Sequence, residues 1–249
     1  MSLAASLATS EWVWVAVAAL LIGMAKAGLA GAAIFGIPVM ATIFGAQEST
    51  GIVLPMLIAA DIVAVIYYRR HAQWNIVLQL LPWTLLGIGT GVFVGDVVSD
   101  DVFRILLAII VLVGLALMTY RELYHSDIVL PRKLWIAAIL GTVAGFSTMV
   151  GNAAGPLMSL YLLSMGLEKN QLIGTGAWFF FVVNVIKVPF HVIFWGTITF
   201  ETLVIDLLAV PVIVGGVFLG LVLVRLIPEK AYRYFIIVST TIVSIRLLI

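Results

Sequence analysis

The sequence contains no cysteine. Disulfides, thiolate metal sites and thiol redox chemistry are therefore excluded, and with them the thiol–disulfide electron carriers of similar size. Charged residues are also scarce, at 10% of the chain, whereas 63% of the residues are apolar and the mean hydropathy is +1.23. This composition is typical of a chain that lies within a lipid bilayer.

Long polar segments are absent as well. No stretch outside the apolar runs is long enough to fold alone, so residues 1–249 are predicted to form one membrane domain. The first eleven residues carry no lysine or arginine, and a cleaved signal peptide with a basic start is therefore not indicated. The apolar runs predict an all-α, polytopic membrane protein.

The chain contains an internal repeat, which in a membrane protein is typical of transporters. The first repeat is predicted to cover residues 12–120 and the second residues 134–249, with a linker at 121–133. Two register offsets, of 120 and then 129 residues, align the repeats. They pair Gly31 with Gly151, Glu48 with Glu168, His71 with His191, Pro82 with Pro211, Gly87 with Gly216 and Gly91 with Gly220.

Six apolar stretches reach the length of about 20 residues that a membrane span requires. Two further segments, 12–45 and 134–166, are too long for one span and too short for two, and small residues interrupt each near its middle. Each is predicted to form a pair of short helices, either re-entrant or spanning. The six predicted spans are 50–68, 76–95, 101–120, 170–195, 203–224 and 231–249.

Whether the two pairs of short helices are re-entrant or spanning, each repeat crosses the membrane an odd number of times. The second repeat is therefore predicted to be inverted relative to the first. Placing both termini outside the cytoplasm leaves two loop cations, Arg104 and Arg246, on the outer side. The inner side then receives nine, in the direction that cytoplasmic loops show. These nine are Arg69, Arg70, Arg121, Arg132, Lys133, Lys169, Arg225, Lys230 and Arg233.

Three ionisable residues lie inside apolar segments: Lys26, Asp61 and Lys187. A charged side chain in hydrocarbon costs several kcal/mol unless it is paired, hydrated or neutralised, so these three are candidate functional residues. Two structural alternatives stand beside this prediction. Lys187 could extend to the nearer interface, and Lys26 and Asp61 could form a purely structural pair.

The Gly-rich interruptions of the two short pairs are candidate anion sites. A helix that begins inside the membrane leaves backbone N–H groups unpaired and directs the positive end of its dipole at a ligand. Small residues let an anion approach that backbone, although the same residues also serve close helix packing. Together with the two lysines, the predicted substrate-binding residues are Gly28, Gly31, Ser147, Thr148, Gly151, Asn152 and Asn184.

Other patterns favour structural roles. His71 and His191 lie at span ends, where a metal or proton role is less favoured than a structural one. The aromatic run at 178–181 is typical of a packing or lipid-facing surface, with a substrate path as the alternative. The sequence contains neither a GxSxG nucleophile nor an HExxH zinc motif, so an enzyme is not predicted.

Short motifs dominated by glycine and proline recur in both repeats. In the first repeat they comprise Gly23, Lys26, Gly28, Gly31, Ile37-Pro38, 67–71, Pro82, Gly87 and Gly91. In the second repeat they comprise Gly145, Gly151, Asn152, Gly155-Pro156, Asn184, Lys187, Gly196, Gly216 and Gly220. In these residues the chain resembles the sulfite exporter TauE/SafE family of bacterial membrane permeases. It departs from the family at Ala32 and Ala33, where glycine is frequent, which bears on the size of the substrate.

The resemblance implies a permease of the inner membrane that carries small sulfur-containing anions, such as sulfite, sulfoacetate or other organosulfonates, without ATP hydrolysis. Alternating access between the repeats is the predicted mechanism. Asp61 is the predicted coupling residue, because a carboxyl group in a low-dielectric site can exchange its proton near neutral pH. An anion or small-solute channel and a membrane assembly partner without transport are the alternatives.

The predicted partners are therefore a small anionic substrate, the lipid bilayer, a coupling proton or sodium ion, and a second copy of the chain in a homodimer. No cofactor, metal or nucleic acid is predicted to bind.

Overall fold

The computed structural model describes residues 3–29, 32–99, 101–102, 105, 134–228, 231, 234 and 238. Within these residues there are helices and turns and no β-strand. Gly31, the linker 121–133 and most of the predicted spans 101–120 and 231–249 lie outside them. The helices are α1 (Leu3–Ser6), α2 (Thr9–Lys26), α3 (Ala33–Phe44), α4 (Ala46–Tyr68), α5 (Trp74–Val97), α6 (Leu134–Gly151), α7 (Gly155–Ser164), α8 (Lys169–Ile193) and α9 (Phe200–Leu226).

Six of these helices are long and apolar enough to cross a membrane: α2, α4, α5, α6, α8 and α9. The protein is therefore a multi-pass membrane protein. Helices α2 and α6 have 18 residues each, about 27 Å of helix, whereas their partners α3 and α7 have 12 and 10. Each predicted pair of short helices is thus one full-length helix followed by one short helix.

The interruption within each pair has a backbone cause. Gly28 follows α2 with φ at 119°, a conformation that residues with a side chain rarely adopt. Asn152 follows α6 with φ at 55°, and asparagine is one of the few other residues that tolerate a positive φ. Pro156 then lies in the first turn of α7, where its missing N–H would have no helical partner.

In each of two pairs of long helices, the two helices run parallel and pack closely against each other at glycine residues. In the first pair, Gly216 of α9 lies against the Leu20 carbonyl of α2, and Gly220 lies against the Met24 carbonyl one turn further on. In the second pair, α5 packs on α6 in the same manner. There, Gly87 lies against the Thr142 carbonyl and Gly91 against Met149 and the Phe146 carbonyl. The two pairs therefore show the same kind of contact, with the predicted repeats exchanged.

The ends of the long helices gather at two levels. One level, which we call the basic end, holds the end of α4, the start of α8 and the end of α9, with Lys169 and Arg225 around a shared cavity. The other level, the opposite end, holds the start of α4 and the loop 194–199, where Thr197 packs on Gly51 and Trp195 on Gly95. Helices α4 and α8 therefore run in opposite directions.

The direction of α2 and of α6, the first helices of the two interrupted pairs, follows from contacts at these two ends. Helix α2 ends near the basic end, because the Tyr68 hydroxyl donates to the Ala27 carbonyl at 3.4 Å. Helix α6 ends toward the opposite end, because the Asn152 amide donates to the Thr50 carbonyl at 3.2 Å. Helices α2 and α6, which the sequence predicts to correspond in the two repeats, therefore also run in opposite directions.

These glycine contacts make a prediction about stability. A Cβ atom on Gly87 would lie 2.0 Å from the Thr142 carbonyl oxygen, whereas one on Gly89 would meet nothing within 4 Å. We expect Gly87→Ala to destabilise the protein by about 1–3 kcal/mol through overpacking, and Gly89→Ala to leave stability unchanged or slightly raised. Thermal unfolding in detergent measures both, and equal melting temperatures would contradict this packing.

Candidate functional site

A cavity of about 110 Å³, which we call the central cavity, lies between the interruptions of the two helix pairs. Its wall is largely apolar, with residues of α7 and α8 forming much of it. The polar residues of the wall are Lys26, Thr148, Asn152, Ser159 and Asn184. A pocket that is mostly apolar with a few convergent polar groups is the usual form of a small-molecule site.

The predicted pair of Lys26 and Asp61 forms on one side of this cavity. The Lys26 ammonium lies 2.9 Å from Asp61 Oδ1, and the Asp61 side chain is fully buried. Asn184 donates to the other carboxylate oxygen at 2.7 Å. The Lys26 ammonium also lies 4.5 Å from the centre of the Phe180 ring, a cation–π contact. The cation therefore sits between a carboxylate and an aromatic face at the cavity wall.

Asp61 lies about one turn past the middle of α4 and about two turns before its end. The sequence predicted a position near the midplane, counted from a span that begins at residue 50, and α4 begins one turn earlier, at Ala46. Gly45, with φ at 91°, ends α3 and lets α4 start at once.

Lys187 lies on another side and is fully buried. Its ammonium donates to Asn152 Oδ1 at 2.6 Å and to Thr148 Oγ1 at 3.2 Å. Among the described residues, no carboxylate lies within 4 Å of it. Lys187 therefore does not extend to an interface, and it is held by neutral acceptors that also line the cavity.

The predicted site residues fall into two groups. Those that line the cavity are Lys26, Gly28, Thr148, Asn152 and Asn184. The others lie behind it: Asp61 behind Lys26 and Asn184, Lys187 behind Thr148 and Asn152, and Ser147 and Gly151 buried in the last turn of α6. Gly31 lies outside the described residues.

Sequence reasoning missed Phe180, Ser159 and Asp206. Phe180 lies one helical turn before Asn184 on the face of α8 that lines the cavity, and this spacing could have separated it from the other aromatic residues of its run. Ser159 is one of three residues with a hydroxyl group in the otherwise apolar α7, beside Tyr161 and Ser164. Asp206 is 5% exposed in α9, and neither carboxylate oxygen has a hydrogen-bond partner among the described residues.

A second cavity, of about 650 Å³, lies at the basic end. Lys169 caps the end of α9 there, donating to the Ile227 carbonyl at 2.7 Å and to the Val224 carbonyl. Arg225 donates to the Tyr67 hydroxyl. His71 also borders this cavity and is exposed, whereas His191 is fully buried in α8. We call this cavity the vestibule.

In the part of the chain that the structure describes, no three histidine, aspartate or glutamate side chains are grouped so that they could hold a metal ion.

One comparison with known proteins gives a match. The sequence model of the family described as Sulfite exporter TauE/SafE matches residues 15–247, nearly the whole chain. No curated protein and no solved structure matches the chain.

Proposed function

Since the chain belongs to the sulfite exporter TauE/SafE family, a family of membrane transporters of sulfur anions, we propose that it exports a small sulfur-containing anion such as sulfite or sulfoacetate. The observation that carries this proposal is the charge around the central cavity. Two lysine side chains and one carboxylate lie at or just behind its wall. With all three groups charged, this buried cluster carries one net positive charge, which a monovalent anion such as hydrogen sulfite would neutralise. A dianion such as sulfoacetate would be neutralised when Asp61 is also protonated.

The cavity wall supplies donors for such an anion. A sulfonate or sulfite presents three oxygens, and the Lys26 ammonium, the Thr148 hydroxyl and the Ser159 hydroxyl are all at the wall. Gly155 begins α7 at the same wall, so the backbone N–H groups of the first turn add their positive dipole end. The apolar remainder of the wall suits the carbon portion of an organosulfonate.

Alternating access is the proposed mechanism, with the two repeats as inverted units. The opposite directions of α2 and α6, and of α4 and α8, support this arrangement, as do the exchanged glycine contacts. We propose the inner membrane as the location, with the basic end facing the cytoplasm and both termini outside it. The exposed Arg69 and Arg70 at the end of α4 support this orientation.

Asp61 is the proposed site of proton coupling. Its carboxylate and the substrate would compete for the same Lys26 ammonium, which lies at the cavity wall. When an anion takes that ammonium, the Asn184 amide is the one partner that Asp61 keeps among the described residues. A proton on Asp61 would then offset the lost ion pair, so that anion and proton move together.

The experiment that tests transport is counterflow in proteoliposomes with radiolabelled sulfite, sulfoacetate, taurine, sulfate and acetate. We expect saturable exchange of at least one sulfur-containing anion, and a rate for acetate at the level of empty liposomes. Saturation separates a transporter from a channel, in which flux would rise linearly with concentration. Linear flux, or no flux of any sulfur-containing anion, would overturn the proposal.

A further inference from the structure

One face of α8 continues past the central cavity. Ile173, Ala177, Phe180 and Asn184 follow one another at helical spacing, and all four line the cavity. The same face goes on to Lys187 and then to His191, both fully buried. Among the described residues, the Nε2 atom of His191 has no hydrogen-bond partner. A polar stripe therefore extends from the cavity toward the opposite end of the molecule.

Two contacts close this stripe beyond the cavity, and both reach the first turns of α4. Asn152 accepts from Lys187 at 2.6 Å and donates to the Thr50 carbonyl at 3.2 Å. Nearer the opposite end, Thr197 lies 2.9 Å from His191 Nδ1 and packs against Gly51. Helix α4 belongs to the first repeat and α8 to the second, so these contacts join the repeats across the stripe.

Asn152 is unusual among the residues of this closure. Its backbone has φ at 55°, a conformation that a non-glycine residue seldom adopts, and its side chain uses both its oxygen and its nitrogen. It also lines the cavity, so an anion bound there would lie beside it. An anion bound in the cavity could therefore contact Asn152, the residue that closes the stripe.

We propose that Asn152 is a latch that couples anion binding to the opening of the path at the opposite end. An anionic oxygen is a stronger acceptor for an ammonium group than an amide oxygen is. An anion in the cavity therefore takes the Lys187 ammonium from Asn152, the Asn152 side chain turns, and its bond to the Thr50 carbonyl breaks. With the cavity empty the latch holds, which prevents leakage. This inference rests on the proposed function, because it requires a transported anion.

The test uses the absence of cysteine in the chain. A single Thr50→Cys substitution keeps the backbone carbonyl that Asn152 bonds and places one thiol beyond the cavity, at a side chain that is buried while the stripe is closed. A membrane-impermeant maleimide reports the access to this thiol from either side in right-side-out and inverted vesicles. Sulfoacetate is the ligand, because sulfite itself reacts with maleimides. We expect slow labelling from the opposite end without ligand, and labelling at least about 10-fold faster with saturating sulfoacetate.

The decisive variant is Asn152→Gly in the Thr50→Cys background. Glycine accepts the positive φ, so the backbone is kept while both side-chain hydrogen bonds are lost. We expect fast labelling from the opposite end without ligand and no further increase with sulfoacetate. Asn75→Ala, at an exposed asparagine near the start of α5, is the matched control and should label like the parent.

The outcomes separate the latch from the proposed function. If the parent shows saturable counterflow but Asn152→Gly labels at the parent rate with and without ligand, the latch is wrong and transport stands. If the parent shows no counterflow, the proposed function itself fails. Because labelling depends on the side of the membrane, a merely structural role of Asn152 would not reproduce the expected result: a loosened fold would raise labelling from both sides.

Discussion

Replacing Lys187 with methionine is expected to lower sulfur-anion counterflow at least about 100-fold while leaving the protein as stable as before or more stable. A charge-assisted hydrogen bond contributes about 1.5–3 kcal/mol, and each 1.4 kcal/mol corresponds to about tenfold. Loss of the bonds that this ammonium would make to the anion is therefore sufficient for the expected fall. Radiolabelled counterflow at a substrate concentration well below half-saturation of the wild type measures it.

The stability half of this prediction follows from burial. Lys187 is fully buried, and its two described acceptors are neutral. An uncompensated buried charge costs several kcal/mol, and methionine fills nearly the same volume without that cost. Arg70→Met, which removes an exposed cation at the end of α4, is the control and should keep wild-type flux. Retained flux in Lys187→Met, or lost flux with a lowered melting temperature, would contradict this role.

The second large effect is expected for Asp61→Asn. The change leaves the Lys26 ammonium at the cavity wall without its carboxylate, and breaking a buried pair from one side costs about 3–5 kcal/mol. We expect the variant to affect two transport measurements differently. Accumulation driven by a pH gradient should disappear, because the proposed proton carrier is gone, whereas counterflow at symmetric pH should persist at a reduced rate.

Two further variants distinguish coupling from a purely structural pair. Lys26→Met combined with Asp61→Asn removes both charges, so we expect its melting temperature to recover most of what the single Asp61 variant loses. Asp206→Asn alters another buried carboxyl group, in α9, that has no hydrogen-bond partner among the described residues. It should leave accumulation driven by the pH gradient unchanged. Persistence of that accumulation in Asp61→Asn would remove Asp61 from the coupling role.

Local chemistry made part of this architecture predictable. Gly28 and the Gly151-Asn152 segment interrupt the helices where small residues and a turn-forming asparagine stand in the sequence. Four of the long helices follow apolar runs of the expected length. The ion pair of Lys26 and Asp61 was one of the predicted alternatives, because in hydrocarbon each charge needs the other.

The partners of Lys187 could not be predicted in the same way. Thr148 and Asn152 are 39 and 35 residues distant in sequence, and only the packing of α6 against its neighbours brings them to α8. Phe180 was hidden within an apolar aromatic run, since hydropathy alone does not distinguish its face of α8 from the others. The full length of α2 was not predicted, because its first turn contains Ser10 and Glu11, which are typical of a loop.

The central claim is that a sulfur-containing anion binds in the cavity between Lys26 and Lys187. The most direct test is a structure determined with 2-bromoethanesulfonate, in which anomalous scattering locates the bromine atom. We predict a bromine peak inside the cavity, against the apolar wall near Phe180, with the sulfonate toward Thr148. A peak confined to the vestibule around Lys169 and Arg225, or elsewhere on the protein, would contradict the account.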